Sequence, residues 1–409
     1  MQATAVKVSD ILIVGGGPVG LMLALGLAKQ GFAIGLLEAN PAMTMQSASE
    51  QSSNAFDGRV LALSYGSIKV LQQLGVWASI KPFATAIEHV HVSQKGYLGI
   101  TTLHAEEMGV SALGYSVQGR DLGRVLWQAV CEQVEQIQLL SNAKLLHFEQ
   151  NEAGVEAQVQ IGDQVHLATT QFLIGADGTQ SQVRQGLGIE LLSKDYEAVA
   201  ILAQIQTAEP AMGWSYERFT QEGPVAILPM QERWHKAVMV CPKAQLPSLM
   251  SLDDAAFLAR FTEKMGARMG GFVGISPRLA YPLHESYVQQ IYQGRVLLMG
   301  NAAHTQHPVA AQGLNLGIRD VAVFLQQIAA LNLAPKQAIK SVVEQHFLHA
   351  YAEQRQPDHQ RVLGMTDGLI DLFQHSSPLV GHLRGIGLMA MQALPPIKKR
   401  FARFAMGKA

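Results

Sequence analysis

Between Asp10 and Glu38 the chain passes through three apolar stretches of different rhythm. Residues 11–14 are an unbroken run rich in β-branched side chains, as in a strand buried on both faces. From Leu21 to Gln30 the apolar positions recur at helical spacing, and Gly31 ends the helix. Phe32 to Leu37 is a second apolar strand, closed by an acid, Glu38. Residues 40–57, rich in Ser, Gln, Asn and Ala, carry no period and predict an irregular loop. VLALSYGSIKVLQQLGVW, from Val60, predicts a strand end and a helix. Residues 86–104 alternate around a glycine and predict a hairpin, and the helical pattern after Arg120 takes Asp121 as its N-cap. Residues 137–174 predict strands. In 190–282 strand-like segments alternate with turns and with one helix near 253–266, which predicts a second, antiparallel sheet. A buried strand at 294–300 leads to a helix reaching 330. The rest is helical, with breaks expected at Pro357, Pro378 and Pro395-Pro396.

These elements describe an α/β protein: a Rossmann-like nucleotide-binding domain, an inserted antiparallel β-sheet forming a second domain, and C-terminal helices. A chain of 409 residues, 48% hydrophobic and 15% charged, is long enough for that division and has a large core to fill. Its net charge of −1 excludes the broad basic surface of a nucleic-acid binder. The two cysteines, Cys131 and Cys241, lack metal-ligand spacing and are expected in the core of a reduced, cytoplasmic protein. Residues 1–9 lack the basic-then-apolar order of a secretion signal. The glycines inside the apolar run 11–27 argue against a membrane span.

Candidate chemistry falls in three places. The first strand runs into Gly15, Gly17 and Gly20, a G-x-G-x-x-G turn. The first glycine allows the tight turn, the second lets a diphosphate approach the backbone, and the third lets the helix pack on the strand. The helix N-terminus then offers free N–H groups. Glu38 is placed to accept the hydrogen bonds of a ribose. Arg59, after the polar loop, reads equally as a diphosphate clamp or a surface side chain, and Arg120 sits where the chain enters a helix. In the second place an apolar strand runs into Gly-Ala-Asp177-Gly, which sets an acid at the edge where such sheets bind ligands. In the D-G-x-x-S-x-x-R pattern Asp177 can cap the next helix and Arg184 can reach back to the loop. The third place is 300–320, where a helix start near Gly313 aims N–H groups at an anionic ring or phosphate. His304 and His307 lie there; taken singly each is more often a loop or packing residue, and they form no metal pattern. Trp214, Tyr216, Phe219 and Trp234 are expected mostly in the core, with one or two on a site wall. Lys398, Lys399, Arg400, Arg403 and Lys408 make the chain end basic, which suits an anionic membrane surface or acidic partner as well as a solvated helix.

Together, Gly15-x-Gly17-x-x-Gly20 with Glu38, Asp177-G-x-x-S-x-x-Arg184, and Gly300-N-A-A-H-x-x-x-Pro308 with Q-Gly313-L-Asn315 resemble the motifs of the single-component FAD aromatic hydroxylases, the para-hydroxybenzoate hydroxylase-like monooxygenases. FDGRVLALS from Phe56, ERFTQEGPVAILPM from Glu217 and GLMAMQ from Gly387 are similar to the ubiquinone-biosynthesis hydroxylases, nearest the 2-octaprenyl-6-methoxyphenol hydroxylase branch. The resemblance implies an FAD-binding domain of residues 1–85, 105–189 and 283–334. It implies a substrate domain of 86–104 and 190–282, and a helical region of 335–409. Gly15, Gly17, Pro18, Gly20 and Glu38 would hold the ADP half of FAD, and Arg59 and Arg120 would touch the diphosphate or ribityl chain. Asp177 would serve FAD and the reduced nicotinamide. Asn301, Pro308, Gly313, Leu314 and Asn315 would hold the ribityl and the flavin.

The implied enzyme is an FAD-dependent monooxygenase with NADPH or NADH as co-substrate. O₂ bound as a flavin C4a-hydroperoxide would hydroxylate the ring of a polyprenyl phenol of the 2-polyprenyl-6-methoxyphenol type in ubiquinone biosynthesis. No catalytic base and no metal ligand is assigned. Partners would be a ubiquinone-biosynthesis complex or the inner-membrane surface, met through the basic tail, with no nucleic acid. Two positions depart from the family pattern: Asn301, where Asp is usual and an amide can still bond a ribityl hydroxyl, and Ala311, where Gly is frequent. Other readings are a hydroxylase of a small soluble phenol, a halogenase or prenyl-chain reductase of the same fold, and a non-catalytic scaffold in which Asn301 marks lost FAD binding. The halogenase W-x-W-x-I-P pattern is absent.

Overall fold

Ser9–Val14 and Ile34–Glu38 pair in parallel, Ile11 opposite Ile34 and Val14 opposite Leu37, and the helix Pro18–Lys29 connects them. The structure is a computed structural model and describes residues 4–5, 9–41, 60–306, 312–374 and 378–408. The loop expected at 40–57 therefore lies almost wholly outside the described residues. Helix Pro18–Lys29 is buried from Gly20 to Ala28, because it is covered by the sheet on one side and by helix Gln312–Ala330 on another. Gly26 makes the second contact possible: a Cβ there would lie 2.2 Å from Leu325 Cδ1.

The strands expected in 137–174 are Ile137–Ser141, Ala143–Gln150, Val155–Ile161 and Gln164–Gly175. The last is long enough to serve two purposes. Its first half pairs antiparallel with Val155–Ile161, and its second half pairs parallel with Ser9–Val14 and with Val296–Leu298. The parallel strands therefore run in the order Val296–Leu298, Gln164–Gly175, Ser9–Val14, Ile34–Glu38, Ile137–Ser141. A small sheet of Val60–Ser64, Gly114–Gln118 and Ala84–Ile87 stands beside them.

The second large sheet runs Leu279–Tyr287, Leu192–Thr207, Trp234–Pro242, Val225–Pro229, Trp214–Phe219, His89–Gln94, Ile100–His104. It is antiparallel, as expected, except at one seam. Hairpin 89–104 arrives from far upstream and docks His89–Gln94 parallel to Trp214–Phe219. One face of this sheet buries Ile201, Ile205, Ile227, Ala237 and Met239 against Phe257, Phe261 and Met265 of helix Asp254–Met265. The other face borders a cavity described below.

Three local expectations need correction. The helix Gly119–Cys131 has Gln118 as its N-cap, while Asp121 lies in the first turn, 3.9 Å from Arg124. Cys241 is buried but Cys131, the last residue of that helix, is exposed. Pro357 breaks nothing: it lies inside the helix Gln345–Gln374, whereas Pro378 and Pro395 do open helices, Pro378–Ala393 and Pro395–Ala405. A proline inside a helix costs about 3 kcal/mol. Here both flanks are pinned, Arg355 to Asp320, and Asp358 to Arg319 and Arg355, so the helix continues through it.

Candidate cofactor edge and substrate cavity

Val14, Glu38, Ser141, Gly175 and Leu298 end five parallel strands along one edge, the edge at which open α/β sheets bind ligands. The register sets Gly175 beside both Val14 and Leu298, so the three motifs leave the sheet side by side. At the first, Gly15 has φ +114°, a left-handed conformation, and a Cβ would lie 2.3 Å from Ala176 O. Gly20 lies so close to Gly15 that a Cβ would fall 1.9 Å from its carbonyl oxygen. Gly17 has open space around it. It precedes Pro18 at the N-terminus of a helix with no side-chain cap, so backbone donors face that opening. Glu38 Oε2 accepts from Gly16 N at 2.8 Å, and Oε1 accepts from Asn40 N and Nδ2 at 2.8 and 2.6 Å. The carboxylate therefore lies against the turn.

Asp177 and Arg184 do what their spacing suggests. Asp177 Oδ2 accepts from Gln182 N and Val183 N at 2.7 and 3.2 Å. Arg184 is buried and donates to Thr179 O at 2.8 Å. Asp177 Oδ1 is buried with no hydrogen bond among the described residues, and burial raises its carboxyl above the usual range against the bonds from Ser181 and the backbone. An orphaned acceptor beside an open, donor-rich glycine turn fits a ligand that brings both hydroxyls and phosphates, as FAD does.

Gly300 has φ +60° and packs against Val19 of the first helix. Asn301 next to it is exposed, and its amide has no hydrogen bond among the described residues. Behind this turn lies a buried network that sequence reasoning missed. Asp320 accepts from His304 Nε2 at 2.6 Å, from Arg355 Nε and His359 Nε2 at 2.8 Å each, and from Gly300 N at 3.3 Å. Burial alone would raise the Asp320 carboxyl, but His359, Arg355 and His304 hold it well below the usual range. His304 is therefore a packing residue of this network. His304, Asp320 and His359 lie close enough to share a cation, yet the carboxylate is already neutralised by a guanidinium and bonded to both imidazoles.

Helix Gln312–Ala330 begins within a residue of the expected Gly313. Gly313 and Leu314 are half-buried at its start. Asn315 is a strut: Oδ1 accepts from Ser64 N at 2.8 Å and Ser67 Oγ at 2.7 Å, and Nδ2 donates to Ala62 O at 2.9 Å. Arg120 is exposed on an open cavity of about 430 Å³, with Val60, Gln118, Gln204 and Trp234 on its wall. No hydrogen bond joins it to the other candidates among the described residues. Arg59, Pro308, His307 and Ala311 lie outside the described residues.

A second cavity, of about 210 Å³, lies between the start of helix Gln312–Ala330 and the inner face of the second sheet. Gln312 and Asn315 stand on its wall, with Val90, Val92, Ala226, Leu228, Val238 and Val240 from alternating strand positions. Phe401, Ala402 and Ala405 of helix Pro395–Ala405, with Met406 at its C-cap, complete it. That helix is thus part of the cavity wall. Lys398 is buried on Glu107 at 2.8 Å and Lys408 lies 4.1 Å from the Tyr65 ring centre. The basic patch is reduced to Lys399, Arg400 and Arg403, which are exposed. Of the four aromatics, Trp234 lines the open cavity, while Trp214 and Tyr216 stack on each other away from both.

The second cavity contains a residue the sequence hid. In Trp214–Phe219 the aromatic positions Trp214 and Tyr216 face away from the cavity, Tyr216 against the core that holds Phe257 and Phe261, and the polar ones, Ser215 and Glu217, face the cavity. An acid between aromatics reads as solvent-facing, so only the observed direction of this strand reveals it. Glu217 makes no hydrogen bond or ion pair among the described residues, and burial pushes its carboxyl up to about 7.

The chain matches the FAD binding domain family over residues 8–365. It is 31% identical to the ubiquinone hydroxylase UbiL of Rhodospirillum rubrum over all of this chain and 91% of that protein. It is 29% identical to the 3-demethoxyubiquinol 3-hydroxylase of Escherichia coli over 98% of both. The p-nitrophenol 4-monooxygenase PnpA of Pseudomonas putida has the same fold, with a TM-score of 0.78 at 15% identity over 99% of each chain.

Proposed function

We propose, from the premise that the chain belongs to the FAD binding domain family and is an FAD-dependent aromatic monooxygenase using NAD(P)H, that it hydroxylates the ring of a polyprenylated phenol in ubiquinone biosynthesis. The observation that carries this reading is the apolar 210 Å³ cavity beside the helix start at Gln312. FAD, when bound and reduced, supplies the activation of O₂. The chain's own residues do the rest. Gly15, Gly17, Pro18 and Gly20 would cradle the diphosphate with backbone donors, Glu38 would bind the ribose, and Asp177 Oδ1 and the Asn301 amide would meet cofactor hydroxyls. Arg59, Arg120 and Pro308 would complete the binding surface, with Gly313, Leu314 and the backbone of Asn315 at the flavin. The apolar walls of the cavity exclude water from the reacting ring.

The cavity is smaller than the roughly 300–1,000 Å³ of most small-molecule sites, so it suits a substituted ring and not a long isoprenoid chain. That chain would run out toward lipid. Helix Pro378–Ala393 supports this with an exposed stripe of Leu379, Leu383, Ile386 and Met389, continued by Leu98 and Ile100 of the adjoining hairpin. Lys399, Arg400 and Arg403 supply positive charge for an anionic lipid surface. No single helix among the described residues is long and apolar enough to cross a membrane. Two measurements test the reading. Purified protein should show a flavin spectrum and oxidise NADPH faster with a short-chain 2-prenyl-6-methoxyphenol, giving a product heavier by one oxygen; no such product refutes the substrate. Phosphatidylglycerol vesicles should retain the protein at low salt and lose a Leu383→Glu/Ile386→Glu variant; equal retention refutes the lipid surface.

A further inference from the structure

The 210 Å³ cavity has a mostly apolar wall, yet a carboxyl group sits in it. Glu217 lies mid-strand in Trp214–Phe219, in register with Ala226 on one side and Val92 on the other. Neither neighbour can pair with it. Ser215 Oγ, also on the wall, donates to Ile227 O at 3.1 Å. Lys236 is the only other charged side chain on the wall among the described residues, and its ammonium donates to Val60 O at 2.6 Å. The terminal helix offers Phe401, Ala402, Ala405 and Met406, none of which titrates, and helix Gln312–Ala330 offers the amides of Gln312 and Asn315. Packing gains nothing from an acid here, since a half-buried carboxyl without a partner on a mostly apolar wall is costly.

We propose that Glu217 is the proton acceptor for the phenolic hydroxyl of the substrate. The inference rests on the reading of the substrate as a phenol bound in this cavity. In the step the phenol O–H bond breaks, its electron pair stays on oxygen, and the proton forms an O–H bond on the Glu217 carboxylate. The phenolate oxygen donates more electron density to the ring, which favours attack on an electrophilic oxygen at the ortho and para carbons. When the dienone so formed becomes the diol, the protonated Glu217 carboxyl hands its proton to the carbonyl oxygen and returns to its carboxylate, and the ring carbon releases its own proton to solvent. Burial supports the role: a carboxyl near 7 is present in both protonation states at neutral pH, where a general base is most effective.

The experiment uses FAD-loaded protein, NADPH and a short-chain 2-prenyl-6-methoxyphenol. Wild type should show kcat rising with pH through a midpoint at about 7. Glu217→Gln keeps the shape and can still bond the hydroxyl. Its KM should stay within about threefold while kcat falls by about 10²–10⁴-fold and loses that inflection. NADPH should still be consumed, with oxygen leaving as hydrogen peroxide. Glu217→Asp should recover part of kcat, and it replaces the Gln variant should that fail to fold. A Gln variant with wild-type kcat and an unchanged pH profile overturns the assignment. Wild type that carries FAD and hydroxylates no phenol overturns the substrate reading, and the base with it.

Discussion

The strand edge proposed to hold the cofactor and the cavity proposed to hold the substrate are built in opposite ways. At the edge, chemistry is carried by the backbone: glycines bring N–H groups and carbonyls to within contact of one another, and few side chains are needed. At the cavity, side chains from strands, a helix start and the helix Pro395–Ala405 form the wall. Backbone geometry imposes residue types at fixed spacing, so the edge leaves a motif. A cavity wall is a meeting of residues more than a hundred positions apart, and no local pattern records it.

Substitutions can break or sharpen that contrast. The largest effect should come from Asp320→Asn, which leaves the buried Arg355 with only the Asp358 carboxylate that it shares with Arg319. It should cost about 3–5 kcal/mol, read by chemical denaturation. Because the carboxyl is held far below its usual range, the wild-type contribution is present at neutral pH and lost only as pH falls through that low value. Gly20→Ala comes next. A Cβ 1.9 Å from Gly15 O must push helix and turn apart, at about 3 kcal/mol, and the purified variant should be colourless. A variant that stays yellow would mean that the edge tolerates what the cavity tolerates.

Glu217→Gln should act with the opposite sign. A carboxyl raised to about 7 in the folded state binds more protons there than in the unfolded chain. The native protein therefore loses stability as pH rises from the ordinary glutamate value through 7. The Gln variant should be about 3 kcal/mol more stable than wild type near pH 8 and equal to it near pH 4, in melts of the two proteins side by side. Equal melting at both pH values would mean that the cavity wall carries no stored cost. The smallest effect should be Asn301→Asp, which exchanges one acceptor for another on an exposed turn. FAD affinity should change by less than about tenfold, measured by fluorescence titration.

The sequence makes the Rossmann half legible down to Glu38, because strand, turn and helix signals agree there. The inserted sheet is legible as a sheet but not in its parallel seam, since nothing near residue 89 announces a partner at 214. Pro357 misleads because local propensity is overruled by ion pairs to residues 319 and 320. Asp320 closes the 300–320 segment, yet its role depends on Arg355 and His359 two helices later. The basic tail reads as a separate patch because Glu107 and Tyr65, which take two of its lysines, are about three hundred residues upstream.

Synthesis runs from the first residue to the last, and the terminal helix gives that order a meaning. Every described strand of the cofactor edge has left the ribosome once residue 298 has. The cavity has no wall at Phe401 and Met406 until helix Pro395–Ala405 emerges and Gly66 N bonds Met406 O at 2.8 Å. A nascent chain can assemble its nucleotide half long before it can enclose a ring, because the apolar cavity closes only about a hundred residues after the last strand of that edge.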